Sequence, residues 1–196
     1  MSNPRILVFA SRNPDKLKEV SAILGKGFRV AGLDSLGFQS DIPEPFDTLE
    51  ENALAKARFV YSRYQCDCFA DDTGLEVEAL KGLPGVKSAR YAGKDQDSAA
   101  NIRKLLGEMD GKDNRRARFR TVIALIIRGR EHLFEGVVSG NIAAGEKGSG
   151  GFGYDPVFIP EGYNRSFAEM DTETKNLISH RKDALEKLAH FLGEQK

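Results

Sequence analysis

The sequence predicts an α/β fold in which a long mixed central β-sheet is flanked by helices. In the N-terminal half, short apolar runs that are typical of buried strands alternate with amphipathic helical segments, an order that favours parallel pairing. Residues 115–128 and 132–144 are two β-rich runs joined by Gly129-Arg130, and they are typical of a long antiparallel hairpin. Strands of that length predict a sheet that extends through two lobes of one domain, residues 1–196.

The first predicted elements are a strand, a tight turn and a helix. Residues 5–10 contain an apolar run typical of a buried strand, and residues 14–24 carry apolar side chains on one helical face. Asn13 is a preferred residue at a helix N-cap, and Pro14 suits the first helical position. A strand is predicted at residues 28–31.

Helix signals also mark the later elements. Thr48 and Glu51 have the spacing of a capping box, which predicts a helix that continues to about residue 64. The remaining elements are predicted from apolar runs and their spacing: short strands at 68–70 and 75–80 on either side of a turn, a helix at 97–108, and a final helix at 179–192 with one apolar face.

Composition limits the classes of partner. The chain has 196 residues, 40% of them hydrophobic, and its 29 basic residues balance 29 acidic residues. Without a net positive field, binding to a nucleic acid polymer or to an anionic membrane is not expected, and an anionic ligand needs a local site. The apolar run at residues 6–10 is too short for a signal sequence or a membrane span, so a cytoplasmic location is predicted, with Cys66 and Cys68 as buried free thiols.

The turn after the first strand has the chemistry of a phosphate site. It consists of Ser11, Arg12, Asn13, Pro14, Asp15 and Lys16. A turn that leads into a helix N-terminus directs backbone N–H groups and the positive helix end at a ligand, and Lys16 adds a cation. A capped turn with a solvated lysine explains the residues about equally well, and the glycines of a P-loop are missing.

Two adjacent carboxylates follow the buried run at 68–70. Asp71 and Asp72 precede Thr73-Gly74, and neighbouring residues of a strand point to opposite faces, so one carboxylate is directed into a site. Mg²⁺ binds one or two carboxylates together with phosphate oxygens and water, and a carboxylate beside it can accept the proton of an attacking water. Glu44 lies in an acid-rich loop that offers further ligands. The alternative is a purely structural Asx turn.

A glycine-rich loop and a basic group have the chemistry of a base-reading site. The loop carries Phe152, Gly153, Tyr154 and Asp155, and the basic group is Lys175, His180 and Arg181. Glycines permit close approach of a ligand, aromatic rings stack on bases, and a carboxylate accepts hydrogen bonds from ring N–H groups. A hairpin loop with core aromatics would have a similar sequence.

Taken together, these motifs resemble those of the inosine triphosphate pyrophosphatase family. The resemblance covers nearly the whole chain: Ser11 to Lys16, Glu51-Asn52-Ala53, Ala70 to Gly74, Ser88-Ala89-Arg90-Tyr91, Gly150 to Pro156 and Ser179-His180-Arg181. It implies Mg²⁺-dependent hydrolysis of ITP, dITP and XTP to the monophosphate and pyrophosphate, which removes deaminated purines from the nucleotide pool. It also implies an active-site groove between the two lobes and a homodimer.

The resemblance also implies a role for each site residue. Ser11 to Lys16 would bind the phosphates, Glu44 and Asp72 would bind the metal, and Asp72 would act as general base. Thr73, which stands where the family often has Ser and keeps the hydroxyl, would also bind the substrate. Phe152, Gly153, Tyr154, Asp155, Lys175, His180 and Arg181 would bind the base. Arg12 stands where many relatives have Gly. Two alternatives remain at this point: a Maf-like pyrophosphatase acting on pyrimidine or modified nucleotides, whose Pro-Arg-Arg turn is missing here, and a nucleotide sensor without turnover.

Overall fold

Twelve helices and strands build the part of the chain that the computed structural model describes, residues 5–24 and 28–194. In chain order they are β1 (Arg5–Phe9), α1 (Pro14–Leu24), β2 (Phe28–Gly32), α2 (Leu49–Tyr64), β3 (Cys68–Val77), β4 (Pro84–Gly85), α3 (Ser98–Glu108), β5 (Arg116–Ile127), β6 (Arg130–Ile142), β7 (Phe158–Pro160), α4 (Thr172–Ile178) and α5 (His180–Glu194). Short 3₁₀ turns connect several of them.

The strands form one mixed sheet, as predicted. The order is β2-β1-β3-β5-β6-β7, and β4 pairs with β3. β1 is parallel to β2 and β3, whereas β4 is antiparallel to β3 and β7 is antiparallel to β6. Helices lie between the strands of both parallel pairs, α1 between β1 and β2 and α1 and α2 between β1 and β3, because parallel neighbours need a crossover connection.

The prediction for residues 68–80 was wrong. Instead of two short strands around a turn, β3 runs without interruption through both aspartates to Val77, and a 3₁₀ turn follows. The reason is the close approach of β4: a Cβ atom on Gly74 would lie 2.6 Å from the carbonyl oxygen of Gly85. Glycine therefore serves backbone packing here and does not turn the chain. The hydroxyl of Ser88 accepts a hydrogen bond from the Leu75 amide at 2.8 Å and fixes this arrangement.

The two helix starts that were predicted from their N-cap residues are confirmed. The side chain of Asn13 accepts a hydrogen bond from the Lys16 amide at 3.2 Å, and α1 begins at Pro14. Thr48 accepts from the Glu51 amide at 3.2 Å at the start of α2. Each cap satisfies one N–H group that has no partner within its own helix.

The predicted hairpin is present as β5 and β6. The predicted connection, Gly129-Arg130, was wrong by one residue, because Arg130 already belongs to β6. Arg128 and Gly129 connect the strands with φ angles of 49° and 75°, the left-handed pair that a two-residue type I′ turn requires. Sequence analysis did not predict β7 or α4, because strands of three residues and helices of seven carry too few residues for a periodic signal.

The chain divides into two compact units. The first comprises Met1–Asp72, Thr121–Gly136 and Lys182–Lys196, and its core includes Phe9 stacked on Phe69 with ring centroids 4.8 Å apart. The second comprises Thr73–Arg120 and Val137–Arg181, and its core is built around three phenylalanines, Phe119, Phe158 and Phe167. The interpretation of residues 1–196 as one domain with a groove stays a prediction.

The thiols are free, and Cys68 is buried while Cys66 is half-buried. Within residues 5–24 and 28–194, no helix has the length and apolar character that crossing a membrane requires.

Candidate active site

A buried lysine joins the two predicted metal ligands. The ammonium of Lys56 forms an ion pair with Glu44 and lies 3.5 Å from Oδ1 of Asp72. Lys56 projects from the buried face of α2, and only 7% of the residue is exposed. Asn52, one turn earlier on that face, exchanges two hydrogen bonds with the backbone of Phe46, at 2.9 and 3.0 Å, and so anchors the loop that carries Glu44.

Burial and charge oppose each other in this cluster. Burial lowers the pKa of Lys56, but the carboxylates of Asp72 and Glu44 raise it, and the net pKa lies above its usual value. The ammonium therefore keeps its charge. Burial raises the pKa of Asp72, Lys56 opposes this and Glu44 adds to it, with a result of about 6. A carboxylate this far removed from water titrates close to neutral pH.

Asp72 has one carboxylate oxygen that the described residues leave without a hydrogen bond. This atom, Oδ2, is buried. A buried anionic oxygen is costly unless another group binds it. Oδ2 of Asp72 is therefore available as an oxygen ligand for a cation. The nearby carboxylate of Glu44 makes positive charge favourable in this cluster.

Asp71 precedes Asp72 in β3 and has a different partner. It is 2% exposed, and the Lys16 ammonium lies 3.0 Å from each of its carboxylate oxygens. A cation in the first turn of a helix is unfavourable beside the positive helix end. The Asp71 carboxylate offsets that cost and fixes the lysine at the phosphate turn.

The turn at residues 11–16, the predicted phosphate turn, is held by hydrogen bonds to its own side chains. The Ser11 hydroxyl accepts a hydrogen bond from the Asn13 amide at 3.2 Å, and Asn13 caps α1. Arg12 is exposed, and its guanidinium lies 3.5 Å from the carboxylate of Asp41. Pro14 is the exposed first residue of α1. Asp15 belongs to α1, but its side chain, which was predicted to bind phosphate, lies outside what the structure describes.

The glycine-rich loop is organised by Asp155. Oδ2 of this carboxylate accepts hydrogen bonds from the Phe152 amide at 2.7 Å and from the Lys175 ammonium at 2.5 Å. Burial raises the pKa of Asp155 above its usual value, while Lys175 and the Phe152 amide oppose the increase. The Lys175 ammonium also lies 4.7 Å from the centroid of the Phe152 ring, within range of a cation–π interaction.

The two aromatic residues of the loop have different surroundings. Phe152 is 40% exposed, so its ring is accessible to a flat ligand. Tyr154 is 5% exposed and belongs to the hydrophobic core, and its hydroxyl donates to the carbonyl of Ser88 at 2.8 Å. Of this pair, only Phe152 therefore offers a ring face that a flat ligand can reach. Gly153 between them adopts a positive φ of 61°.

The start of α5 brings two basic residues to the same unit. His180 and Arg181 are both buried, and the imidazole stacks on Phe119 with centroids 4.8 Å apart and an interplanar angle of 12°. The Arg181 guanidinium lies 5.9 Å from the Phe152 centroid and 3.5 Å from the Thr73 hydroxyl. The predicted base-reading residues therefore form one cluster in the second unit.

Sequence analysis missed two residues of these clusters. Lys56 had a signal that was not used: it falls at helical spacing within the buried positions of α2, where a lysine requires a partner. Phe119 had none, because an aromatic residue in a strand is ordinarily a core residue and its contact with His180 is remote in sequence.

The sequence model of the Ham1 family matches residues 7–191. The chain belongs to the Ham1 family. The dITP/XTP pyrophosphatase of Porphyromonas gingivalis is 57% identical over 187 residues, which cover 95% of this chain and 96% of the relative. The corresponding protein of Bacillus subtilis, also named dITP/XTP pyrophosphatase, is 46% identical over 189 residues, 94% of this chain and 96% of the relative.

Solved structures of the Ham1 family have the same fold. The Ham1 protein of Staphylococcus aureus matches with a TM-score of 0.91 and 39% identity, over 98% of this chain and 100% of that chain. A HAM1 protein from Coxiella burnetii gives a TM-score of 0.91 with 38% identity, over 97% and 99%. The family resemblance inferred from the sequence motifs is confirmed, whereas the roles of the individual site residues stay predictions.

Proposed function

We propose that this Ham1 family member hydrolyses the non-canonical purine nucleoside triphosphates ITP, dITP and XTP to the monophosphate and pyrophosphate. The observation that carries the proposal is the Glu44–Lys56–Asp72 cluster, in which Lys56 and Asp72 are buried and a fixed cation lies beside an anionic oxygen that lacks a hydrogen bond among the described residues. Relatives that share about half of the sequence over nearly its full length are named dITP/XTP pyrophosphatases. The cellular role that follows is removal of deaminated purines from the nucleotide pool.

The acidic residues of this cluster suit a magnesium ion. Glu44 and Asp72 both contact one ammonium group, so their carboxylates lie close together, and Oδ2 of Asp72 lacks a partner among the described residues. The described residues contain no group of three or more His, Cys, Asp or Glu side chains arranged for a metal. Two carboxylates are nevertheless the usual protein share of an Mg²⁺ site that phosphate oxygens and water complete. A bound Mg²⁺ supplies positive charge to the phosphates.

We assign the general base to Asp72. A pKa of about 6 leaves this carboxylate mostly ionised at neutral pH and still basic enough to accept the proton of an attacking water. The Lys56 ammonium keeps its charge beside Asp72 and can hold a phosphate oxygen, since burial makes such charge pairs strong.

The phosphate turn has a complementary role in the proposal. Lys16, held by Asp71, offers a positive charge at the start of α1. Ser11 and Asn13 keep the turn in shape through their own hydrogen bonds to backbone amides. An oriented lysine at a helix N-terminus is an effective binder of a triphosphate.

The cluster of predicted base-reading residues around Phe152 suits recognition of a purine that carries an oxygen at position 6. Hypoxanthine and xanthine have an acceptor where adenine has an amine donor, and His180, Arg181 and Lys175 supply donors. An adenine amine there would leave a buried donor unsatisfied, at a cost of about 1–3 kcal/mol. Phe152 would stack on the base, with Gly153 permitting close approach.

The proposal is tested by measuring pyrophosphate release from ITP, XTP, dITP, GTP, ATP and dTTP at equal concentration, with and without Mg²⁺. Strong Mg²⁺-dependent turnover of ITP, XTP and dITP is expected, with Asp72→Asn inactive and still folded. The matched control is Asp34→Asn, an exposed carboxylate of the first unit, which should keep wild-type rates. Preference for dTTP or GTP, or tight binding without product, would refute the assignment.

Metal binding has a readout that does not depend on turnover. Mg²⁺ should raise the urea concentration at which the wild type unfolds, because a ligand that binds only the folded state stabilises it. Glu44→Gln should lose most of this increase. An equal increase in the variant would remove Glu44 from the metal site.

A homodimer in the cytoplasm is also part of the proposal. Light scattering coupled to size-exclusion chromatography gives the mass in solution. A mass equal to one chain at assay concentration would refute the dimer.

A further inference from the structure

The carboxylate of Asp155 is already occupied within the protein. Its Oδ2 atom accepts from the Phe152 amide at 2.7 Å and from the Lys175 ammonium at 2.5 Å, and only 4% of the residue is exposed. A buried carboxylate is stable when hydrogen bonds and an opposite charge satisfy it. The same oxygen thus joins two elements, the glycine-rich loop and helix α4.

The backbone of the loop is shaped around this carboxylate. Gly151 has a φ of +71°, and a Cβ atom on it would lie 2.1 Å from Oδ2 of Asp155. The Asp155 amide in turn donates to the Phe152 carbonyl at 3.3 Å. Residues 152–155 therefore form a turn that the carboxylate closes from inside, and glycine at 151 is the residue that leaves room for it.

The carboxylate of Asp155 holds Phe152, the residue proposed to stack on the nucleotide base. The Phe152 ring is 40% exposed, so core packing alone does not fix it. Two cations flank it: the Lys175 ammonium at 4.7 Å and the Arg181 guanidinium at 5.9 Å from the centroid. Because Asp155 binds the amide of Phe152 and the ammonium of Lys175 through one oxygen, it sets the position of the ring relative to that cation.

We propose that Asp155 is a positioning residue, which acts on the nucleotide base through the Phe152 ring, whose position against Lys175 it sets, rather than as an independent contact. The inference rests on the proposed function and deepens it. Loss of the carboxylate loosens a preformed binding surface and leaves the Glu44–Lys56–Asp72 cluster unchanged. Base binding that is weakened equally in the ground state and the transition state raises KM and leaves kcat unchanged.

The kinetic test compares four proteins with ITP: wild type, Asp155→Asn, Phe152→Ala and the double variant. Asp155→Asn keeps the shape of the side chain and one acceptor oxygen but loses the charge that holds Lys175. It should raise KM roughly ten- to one-hundred-fold with kcat within about two-fold. In the Phe152→Ala background the same substitution should raise KM by less than about three-fold. Glu173→Gln, an exposed acid on α4, is the matched control and should not change KM.

Three kinetic results would overturn the proposal. They are an unchanged KM in Asp155→Asn, a loss confined to kcat, and an equal fold-increase of KM with or without the Phe152 ring, which is the signature of an independent contact with the base.

A measurement on the free protein separates this inference from the proposed function. Hydrogen exchange followed by NMR should show a protected Phe152 amide in the wild type, and exchange at least ten-fold faster in Asp155→Ala, with the amides of β5 unchanged. A wild type that hydrolyses none of the nucleotides would refute the proposed function, and the exchange rate would still decide whether Asp155 holds the loop. A Phe152 amide that exchanges freely in the wild type would overturn the positioning role.

Discussion

Replacing Asp72 with Asn should make the protein more stable while abolishing its activity. The carboxylate of Asp72 is buried beside Glu44 and Asp71, and both effects raise its pKa. The charge of Lys56 lowers the pKa in part, and the pKa of Asp72 lies at about 6 instead of 3.8. The folded state therefore bears a cost for ionising this group that the unfolded chain does not. Asn has nearly the same shape and carries no charge, and Lys56 keeps its ion pair with Glu44.

The magnitude follows from the difference in pKa. At about 1.4 kcal/mol for each pKa unit, ionisation of Asp72 costs the folded state roughly 3 kcal/mol at pH 8. The sign is opposite to that of an ordinary salt-bridged aspartate. Because the folded state binds the proton more tightly, the contribution of Asp72 to wild-type stability falls as pH rises from about 4 to about 6. Above that window the full advantage of Asp72→Asn should be present.

Urea unfolding followed by circular dichroism, with EDTA present, measures this difference. The free energy of unfolding of Asp72→Asn should exceed that of the wild type by about 2–3 kcal/mol at pH 8, and the gap should narrow as pH falls through 6 toward 4. Asp34→Asn, an exposed aspartate, should show no such pH-dependent gap. A variant less stable than wild type at pH 8, or a gap that does not change with pH, would refute the reasoning about burial.

Two further predictions concern packing and thiol reactivity. Gly74→Ala should destabilise the protein by more than about 2 kcal/mol in urea, because its Cβ would meet the Gly85 backbone at 2.6 Å. Gly107→Ala in α3, where a Cβ meets nothing within 4 Å, should instead stabilise by about 0.5–1 kcal/mol, and equal effects would contradict the contact. Cys66 should react with iodoacetamide well before Cys68, whose pKa burial raises to about 12 and whose thiol donates to a backbone carbonyl; preferential labelling of Cys68 in the folded protein would refute this order.

Local sequence signals predicted those parts of the fold that depend on neighbouring residues. Asn13 and Thr48 cap helices because a short polar side chain reaches an amide two or three residues later, and this needs no tertiary contact. The hairpin was predicted for a similarly local reason, although its turn consists of Arg128 and Gly129 and not of Gly129 and Arg130 as predicted. The same signals failed at β3, where Gly74 indicated a turn and the strand continues.

Motifs in the sequence by themselves determined the α/β class, the starts of α1 and α2, the family and most of the residues of the two clusters. Only the tertiary structure decided what those residues contact. Lys56 joins Glu44 to Asp72, Lys16 joins Asp71, and Asp155 holds Lys175 across 20 positions of the chain. The physical reason is that the pKa of a carboxylate, its partners and its access to a ligand depend on burial and on charges brought near by folding, and the order of residues along the chain does not specify these.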